Sequence, residues 1–532
     1  MVQSMRETER KYEVPSPADT SWLPELERVD GVEAVVDRSP EELDAVYYDT
    51  DDLRLSGSSA VLRRRTGGAD AGWHLKLPLS GDSREEIRSP LTDTVPDALL
   101  DLTRSRTRGA ELTPVVRIRS TRQVRHLVDA DGTLRAELCV DSVRAESLRV
   151  DGRHAAWNEL EVELAEDADP ALLDAVEKKL RKKGIARAHS PSKLVRALDE
   201  TVTTTAEASD GPDASDGPDA SDGPDASDGP DGSAVRDPEL AGAQVLAYVR
   251  EQIRALTTLD PAVRRDRPDA VHKMRVACRR LRSCLRSYRS VLDRDATDEI
   301  RRELKWLAGE LGAERDQEVL MERLSGEIEA LPGELVLGPV AARLRVWNVV
   351  DSTESHLRSL DALGSRRYLD LLDSLDALVE RPPLRAKAAK DARKVLARAV
   401  LKEYGRLAGR MTDALELSPG PERDVALHEA RKAAKKVRYA TEVARPALGN
   451  PAKRLGKRVK AVQKVLGDHQ DSVVARGALR DLAVVAQTAG EAGFTWGLLY
   501  GTEQARAQNS ERELPALWDL ASVPGLRKKL DR

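Results

Sequence analysis

Short segments in which polar and apolar residues alternate dominate the first part of the chain. Examples are "AVYYDT", "WHLKLPL", "VVRIRSTRQV" and "NELEVEL", and turn sequences such as "TGGADAG" and "DADGT" lie between such segments. Successive side chains of a strand point to opposite faces, so these segments are typical of an antiparallel sheet or barrel. Helical patterns such as "DPALLDAVEKKLRKKG" intervene. We therefore expect an α+β domain built on an antiparallel β-barrel.

The last part of the chain follows a helical period instead. In "AVHKMRVACRRLRSCLRSYRSVL" the apolar residues Val271, Met274, Cys278 and Leu281 recur at the spacing of one helix face. Almost no strand pattern remains in this part of the sequence. We therefore expect a second domain that is all-α.

A repetitive acidic segment separates the two parts. Residues 208–231 repeat "ASDGPD" four times, with no basic residue and nothing apolar larger than alanine. Such a composition buries too little apolar surface to offset the entropy of ordering. The sequence thus predicts a multidomain chain with a barrel domain at residues 1–203, a disordered linker at 204–237 and a helical domain at 238–525.

Composition narrows the class of protein. The chain of 532 residues exceeds one typical domain, and its low aromatic content, 3%, favours cores of Leu, Val and Ala. The three cysteines have no paired spacing, which argues against disulfides and a cysteine metal site. The start "MVQSMRETERK" does not resemble a signal peptide, and no apolar run approaches the ~20 residues that span a bilayer. We therefore expect a cytoplasmic protein without a membrane partner.

The candidate strands carry charged residues along one face. In "ETERKYEV" Glu7, Glu9 and Lys11 share a face, whereas the middle strands place arginine and lysine on theirs. Alternation alone favours an ordinary half-buried sheet with its ionic face toward solvent. The sorting of acids and bases by strand favours a charged interior, because carboxylates bind Mg²⁺ while Arg and Lys bind phosphate oxygens. The pattern therefore points to a metal-dependent phosphate site inside the barrel.

A series of ordered motifs extends this pattern over about residues 4–200. After the "E-x-E-x-K" of Glu7, Glu9 and Lys11 come "LRRR", "LKLP", "REE", "RIR", "CVD", "ELEVE" and "SPSK" in turn. The series resembles the CYTH domain of the triphosphate tunnel metalloenzymes. The resemblance implies an eight-stranded antiparallel tunnel that binds triphosphate with Mg²⁺ or Mn²⁺. It implies hydrolysis of the triphosphate or, in some members, cyclisation of ATP.

The resemblance also implies roles for individual residues. Lys11 matches the residue that orients or deprotonates the attacking water, and deprotonation near pH 7 would require a lowered lysine pKa. The implied metal ligands are Glu7, Glu9, Asp141, Glu159, Glu161 and Glu163. The implied triphosphate ligands are Arg63, Arg65, Lys76, Arg84, Arg117, Arg119 and Lys193. Which of Arg117 and Arg119 matches the family arginine stays open, and both are expected to point inward.

The helical part contains two copies of one basic helix. Each copy has a histidine followed by cations at offsets of 3, 7 and 10 residues, with an apolar stripe one residue earlier. The two rows are His272, Arg275, Arg279 and Arg282, and His428, Arg431, Lys435 and Arg438. Each row precedes an "LGxxxD" element, with 44 residues from His272 to Asp316 and 43 from His428 to Asp471. We therefore expect an internally duplicated helical bundle.

The basic rows favour an anionic ligand. The stretch from His272 to Arg289 has seven Lys or Arg residues and no acid, and "KRLGKRVKAVQK", with Lys457 and Lys460, has the same character. A solvated helix face is the usual reason for a charge run, but such a face normally mixes signs because like charges repel. Nucleic acid is disfavoured because no aromatic residues for base stacking interleave with these rows. The paired helices and "LGxxxD" elements resemble the CHAD domain over about residues 240–520, which implies polyphosphate binding.

Both halves of the sequence therefore indicate phosphate chains as ligands. The leading hypothesis is a metal-dependent inorganic triphosphatase or short-chain polyphosphatase with a helical polyphosphate-binding module. The alternative is a polyphosphate-binding or targeting protein whose tunnel does not turn over substrate. Adenylate cyclase activity is less favoured, because no motif marks a nucleobase site, and thiamine triphosphatase activity is a further, less favoured alternative. The sequence leaves the oligomeric state undetermined.

Overall fold

A computed structural model of the chain divides into two compact units, Met1–Asp222 and Gly223–Arg532. The structure describes residues 3–14, 22–79, 81–202 and 233–530. Most of the predicted linker, residues 204–237, therefore lies outside the described residues. Its last residues belong to a short helix, Ser233–Arg236, so the linker prediction extends too far at this end.

The strands of the first unit form one antiparallel sheet in the described part of the chain. They are β1 (Gln3–Glu13), β2 (Ala34–Asp37), β3 (Glu41–Asp49), β4 (Val61–Thr66), β5 (Gly72–Pro78), β6 (Ser83–Ser89), β7 (Thr113–Val128), β8 (Leu134–Ser147) and β9 (His154–Leu164). Their order is β2-β7-β3-β4-β5-β6-β1-β9-β8, and β7 also pairs with β8. Eight strands thus close into a ring, with the short β2 beside one end of β7. This confirms the predicted eight-stranded antiparallel barrel.

The apolar faces of the strands point outward and pack under helices. The helices of this unit are α1 (Arg54–Gly57), α2 (Asp97–Thr107), α3 (Ala171–Lys182) and α4 (Lys193–Val202). Trp73 of β5 is fully buried in a cluster with Leu99 and Leu102 of α2. Val162 of β9 belongs to a second cluster with Val176 of α3. Because the two faces of a strand alternate, burying the apolar face outside turns the charged face into the barrel.

The helix α4 packs against the inner face of the barrel. Its residues Leu194 and Ala197 form one buried cluster with Ile118, Val143 and Trp157. Val143 and Trp157 lie two residues along their strands from charged inner-face positions, and therefore point inward as well. This part of the interior is apolar, and the remaining part is left for the charged side chains.

The second unit is built from helices, which confirms the predicted all-α domain. After α5 (Ser233–Arg236) they are α6 (Ala241–Arg264), α7 (Ala270–Ser287), α8 (Arg294–Glu310), α9 (Gly312–Ala330), α10 (Val340–Gly364), α11 (Arg366–Glu380), α12 (Ala392–Glu416), α13 (Pro421–Leu448), α14 (Asn450–Thr488), α15 (Phe494–Ser522) and α16 (Pro524–Lys528). The main core is formed chiefly by α6, α7, α8, α11, α12, α13 and α14. A second core joins α9, α10, the end of α14 and the start of α15.

The duplicated basic helices are α7 and α13. The predicted apolar stripes are buried in the main core, at Val271, Met274, Cys278 and Leu281, and at Leu427, Ala430, Ala434 and Val437. Each helix therefore turns its neighbouring row of histidine and cations away from the centre of the bundle.

Candidate functional site

A charged cavity of about 430 Å³ occupies the barrel interior. The predicted site residues that line it are Glu7, Glu9, Lys11, Arg63, Arg65, Lys76, Arg84, Glu161, Glu163 and Lys193. Asp141 and Glu159 are buried beside them, and Lys193 contacts both. The inward-facing residues of the strands and the start of α4 thus bring the predicted acids and bases into one site.

Arg117 and Arg119 do not line this cavity, contrary to the sequence prediction. Their side chains lie on the outer face of β7, where they are 39% and 55% exposed and contact Asp44 at 2.6 and 3.4 Å. In the register of the sheet Ile118, not either arginine, lies opposite the buried Ala45. The helix α4 fills the adjoining part of the interior, and the inward-facing residues of this stretch are therefore apolar. The prediction that Arg117 and Arg119 point inward is thus wrong, since both lie on the outer face.

Arg122 is the arginine of β7 that lines the cavity, and it was not among the residues predicted from the sequence. Its Nη2 lies 2.8 Å from Oδ2 of Asp141 and 2.7 Å from Oε2 of Glu161. Arg122 is four residues from Ile118 and so shares its inward face. The two-residue repeat of a strand places Arg122 on the same face as Ile118. It could have identified Arg122 only if the face of Ile118 had been known to point inward.

Two groups of three carboxylates could each hold a metal ion, because one oxygen of each member lies within 4.8 Å of the others. The groups are Glu7, Glu9 and Glu163, and Asp141, Glu159 and Glu161. Oε2 of Glu7 and Oε1 of Glu9 are buried and make no hydrogen bond. A buried carboxylate oxygen without a hydrogen bond is costly, and a hard cation with oxygen ligands satisfies it. The donor set therefore fits the predicted Mg²⁺ or Mn²⁺.

The two carboxylate groups differ in charge. Burial raises the pKa of Glu163 to about 8, and the neighbouring Glu7 adds to this effect. Burial would also raise the pKa of Asp141, but Lys193 and Arg122 hold it below its usual value. At neutral pH the first group therefore retains a proton on Glu163, whereas Asp141 in the second group is ionised.

Lys11 is held in its protonated form by the carboxylates around it. Its ammonium group contacts Glu161 and lies 3.4 Å from Glu9. Burial would lower the pKa of Lys11, but Glu161 and Glu9 raise it above its usual value. The lowered pKa that deprotonation of water would require is thus absent in the free cavity.

Most of the other cavity cations are paired with carboxylates. Nζ of Lys76 lies 2.6 Å from Oε1 of Glu7, and Nζ of Lys193 lies 2.8 Å from Oδ2 of Asp141. Arg84 donates to a backbone carbonyl at 2.6 Å. The cavity therefore holds a network of alternating charges rather than a uniformly positive surface.

Glu86, His74 and Arg88 extend this network, although no ligand role was predicted for them from the sequence. Glu86 is almost fully buried, accepts a hydrogen bond from Nε of Arg88 at 2.6 Å and lies 2.9 Å from Nδ1 of His74. Burial lowers the pKa of His74 to about 4, so the imidazole is neutral at pH 7. Because His74 is neutral, it does not cancel the negative charge of Glu86, whose carboxylate lies 3.7 Å from Nζ of Lys76.

The two basic rows of the helical unit are half-buried rather than solvated. This holds for every member of both rows, whereas Lys457 and Lys460 on α14 are exposed. Burial lowers the pKa of Lys435 to about 8, and the positive charges of Arg431, Arg279 and Arg438 contribute. Because Arg279 belongs to the first row, the rows of α7 and α13 lie close enough to act on each other.

The two "LGxxxD" elements pack against the rows in the same way. A Cβ atom on Gly312 would lie 3.4 Å from Nη2 of Arg275, and one on Gly467 would lie 3.6 Å from Nε of Arg431. In both copies the guanidinium group thus lies against the glycine of the "LGxxxD" element, at the start of α9 in the first copy and within α14 in the second. The agreement between the copies supports an internal duplication at the level of side-chain packing.

Another group of ligand-type residues joins α13, α14 and α15. Nε2 of the buried His469 lies 3.3 Å from Asp424 and 3.5 Å from Glu511. Arg476 contacts Asp424 at 3.1 Å and Arg423 contacts Glu511 at 3.0 Å. Because two arginines already neutralise the two carboxylates, this group is an ionic network between helices.

Family models match both units of the chain. A CYTH domain model matches residues 5–198, and a CHAD domain model matches residues 247–480. Among curated proteins, the uncharacterised protein Rv2226 of Mycobacterium tuberculosis is 37% identical, and the match covers 96% of this chain and 95% of that protein. In the described residues no helix combines the length and apolar character needed to cross a membrane.

Two solved structures resemble part of the chain. PptA from Streptomyces chartreusis is 23% identical and matches 53% of this chain and 99% of its own, with a TM-score of 0.45. The CHAD domain from the plant Ricinus communis is 22% identical and matches 53% of this chain and 92% of its own, with a TM-score of 0.41.

Proposed function

Since this chain belongs to the family of proteins in which a CYTH domain precedes a CHAD domain, we propose that it is a metal-dependent triphosphatase with a polyphosphate-binding module. The barrel would hydrolyse inorganic triphosphate or short-chain polyphosphate, and the helical unit would bind longer chains. The observation that carries the proposal is the buried cavity in which two carboxylate groups stand among Arg and Lys side chains. That combination suits a phosphate chain bound together with a divalent metal.

The carboxylates are proposed to hold one or two Mg²⁺ or Mn²⁺ ions. Glu7, Glu9 and Glu163 form one candidate ligand set, and Asp141, Glu159 and Glu161 form the other. When bound, the metal would polarise the phosphoryl group under attack and neutralise its developing charge. The buried oxygens of Glu7 and Glu9 that lack hydrogen bonds support this assignment.

The cations are proposed to bind the phosphate oxygens. The residues in this role are Arg63, Arg65, Lys76, Arg84, Arg122 and Lys193. Arginine binds phosphate through its fixed fork of N–H groups, and lysine acts as a point charge. Lys11 is proposed to orient the attacking water through its ammonium group, since Glu161 and Glu9 keep it protonated.

Inorganic triphosphate suits the cavity better than a nucleotide. Among the described residues that line it, Tyr47 is the one aromatic side chain, and it lies among cations rather than at an open platform. Base recognition commonly uses stacking on aromatic rings. ATP cyclisation and thiamine triphosphate hydrolysis therefore have less support than hydrolysis of a bare phosphate chain.

The helical unit is proposed to bind polyphosphate along the rows of α7 and α13. Half-buried cations that act on one another, as Arg279 and Lys435 do, favour an anion that neutralises several of them at once.

The buried, unpaired cysteines suit a reducing compartment, so the cytoplasm is the proposed location.

The second candidate function is a polyphosphate-binding protein whose barrel binds triphosphate without turnover. The raised pKa of Lys11 is compatible with it, because a protonated Lys11 can orient a water molecule but cannot accept a proton from it. The experiment that separates the two functions measures phosphate release. The substrates are tripolyphosphate, ATP, thiamine triphosphate and long-chain polyphosphate, each with and without Mg²⁺ and Mn²⁺. Metal-dependent release from tripolyphosphate is the expected result. Binding of tripolyphosphate without release under any of these conditions would instead establish the second function.

A further inference from the structure

Tyr47 of β3 places a neutral hydroxyl group among the charged residues of the cavity. Its side chain is 3% exposed and lines the barrel interior. In the register between β3 and β4, Tyr47 lies opposite Arg63, which faces the same cavity. The adjacent Tyr48 points to the outer face, where its ring centroid lies 5.0 Å from that of Trp73.

The hydroxyl group of Tyr47 has a proton available for a ligand. Nη1 of Arg63 donates a hydrogen bond to the Tyr47 oxygen at 3.5 Å, which leaves the O–H of the phenol undirected. In the described part of the chain the structure gives that O–H no acceptor. Lys76 and Lys193, in contrast, already contact carboxylates at 2.6 to 2.8 Å.

Arg63 also lacks a close carboxylate partner among the described residues. Its nearest carboxylate contact is Glu86 at 3.9 Å, and its buried Nε makes no hydrogen bond. A buried guanidinium N–H without a partner costs free energy that an incoming acceptor can recover. Tyr47 and Arg63 thus present adjacent donors, and in the part of the chain that the structure describes no carboxylate contact closer than 3.9 Å engages them.

We propose that the Tyr47 hydroxyl and the Arg63 guanidinium form a phosphate subsite, in which Tyr47 donates a hydrogen bond directly to an oxygen of the phosphate chain. This inference rests on the proposed function, since it takes a bare phosphate chain as the ligand of the cavity. An anion bound here gains charge-assisted hydrogen bonds without first separating a close ion pair, because the carboxylate of Glu86 lies 3.9 Å from Arg63. Phosphate binding at Lys76 or Lys193 would have to compete with Glu7 or Asp141.

The surroundings of Tyr47 make it a good donor. Burial would raise its pKa, but the cations Arg63, Lys193 and Lys11 lower it below its usual value. A more acidic O–H donates a stronger hydrogen bond to an anionic oxygen.

The test compares Tyr47→Phe with Tyr48→Phe in the full-length protein. Both changes remove one hydroxyl from neighbouring residues of the same strand, but Tyr47 faces the cavity and Tyr48 the outer face. Tripolyphosphate affinity is measured by calorimetry with Mg²⁺ and with a chelator, and KM and kcat are measured where turnover occurs. Thermal melting checks that each variant is folded.

We expect Tyr47→Phe to weaken tripolyphosphate binding and raise KM about tenfold or more, with Tyr48→Phe close to the unsubstituted protein. Equal affinity in Tyr47→Phe and the unsubstituted protein would overturn the subsite. This design distinguishes failure of the subsite from failure of the proposed hydrolysis. If tripolyphosphate binds in a way that depends on Tyr47 but is not hydrolysed, only the hydrolysis is rejected. If the unsubstituted protein binds no tripolyphosphate, both are rejected.

Discussion

Arg431 of α13 lies against Gly467 of α14, where a Cβ atom would be 3.6 Å from its Nε. The first copy repeats the relationship with Arg275 and Gly312 at 3.4 Å. Gly467 lies in the interior of α14, where glycine lowers helix stability by about 1 kcal/mol relative to alanine, whereas Gly312 is the first residue of α9. The glycine at position 467 is consistent with a requirement for the guanidinium group of Arg431 to pack there.

Charge reversal at both of these arginines should weaken polyphosphate binding. In Arg275→Glu/Arg431→Glu each lost charge-assisted hydrogen bond is worth about 1.5–3 kcal/mol, so long-chain polyphosphate should bind at least about tenfold more weakly. Triphosphate turnover should stay unchanged. The matched control is Arg393→Glu/Arg398→Glu, which reverses two exposed cations of α12. An equal fall in turnover would contradict the division of labour between the two units.

Removing one carboxylate of the first metal group should abolish metal-dependent phosphate release. Glu9→Gln keeps the size of the side chain but loses an anionic ligand, and metal catalysis supplies several kcal/mol, roughly 10²-fold or more in rate. Phosphate release from tripolyphosphate with Mg²⁺ or Mn²⁺ is the measurement. Glu85→Gln, an outward-facing residue of β6 that accepts a hydrogen bond from Ser4 at 2.8 Å, is the control. Unchanged activity in Glu9→Gln would remove Glu9 from the metal site.

The arginines of β7 should differ sharply in their effect on triphosphate affinity. Arg122→Gln removes a cation from the cavity and should raise KM about tenfold or more. Arg119→Gln removes an exposed partner of Asp44, and such surface pairs contribute about 0–1 kcal/mol. Steady-state kinetics with tripolyphosphate separates the two. A larger effect from Arg119→Gln would restore the original assignment of the family arginine.

Polyphosphate affinity should fall as pH rises through about 8. Lys435 has a pKa lowered to about 8, chiefly by burial and then by Arg431 and Arg279, and only its protonated form attracts a polyanion. Binding should therefore be strongest below this pH and weaken above it, at constant ionic strength. In Lys435→Arg the charge persists, so the same titration should become flatter. A pH profile identical in both proteins would exclude Lys435 as its cause.

Glu163 should make the metal-free protein less stable as pH rises. Its pKa is about 8 in the folded protein against an ordinary value of 4.5, so the folded state binds the proton more tightly. The stabilisation is complete below the ordinary pKa and is lost progressively as pH rises toward 8. Glu163→Gln should therefore raise the melting temperature at pH 8–9 in the presence of a chelator, relative to the unsubstituted protein. Equal melting temperatures across this range would show that Glu163 is not held protonated.

Much of the cavity could be predicted from local pattern. Glu7, Glu9 and Lys11 alternate along one strand, and the structure brings them to one face of the cavity wall. The proposed role of Tyr47 was not predicted, because aromatic residues are common in strands and a tyrosine there does not by itself indicate a ligand site. Whether Lys11 orients or deprotonates the attacking water could not be decided from local pattern, because its pKa is raised by Glu161, which is distant in sequence and lies opposite on β9.

The sequence by itself determined the period of each segment and the duplication of the basic helix. Both are local properties, since side-chain direction follows from the two-residue repeat of a strand and the 3.6-residue repeat of a helix. Only the tertiary structure decided which strand face is the interior. Helices α2 and α3 cover the apolar outer faces, whereas α4 contributes apolar residues to part of the inside. For that reason Arg122 lies in the cavity and Arg119 outside it, although both are arginines of the same strand.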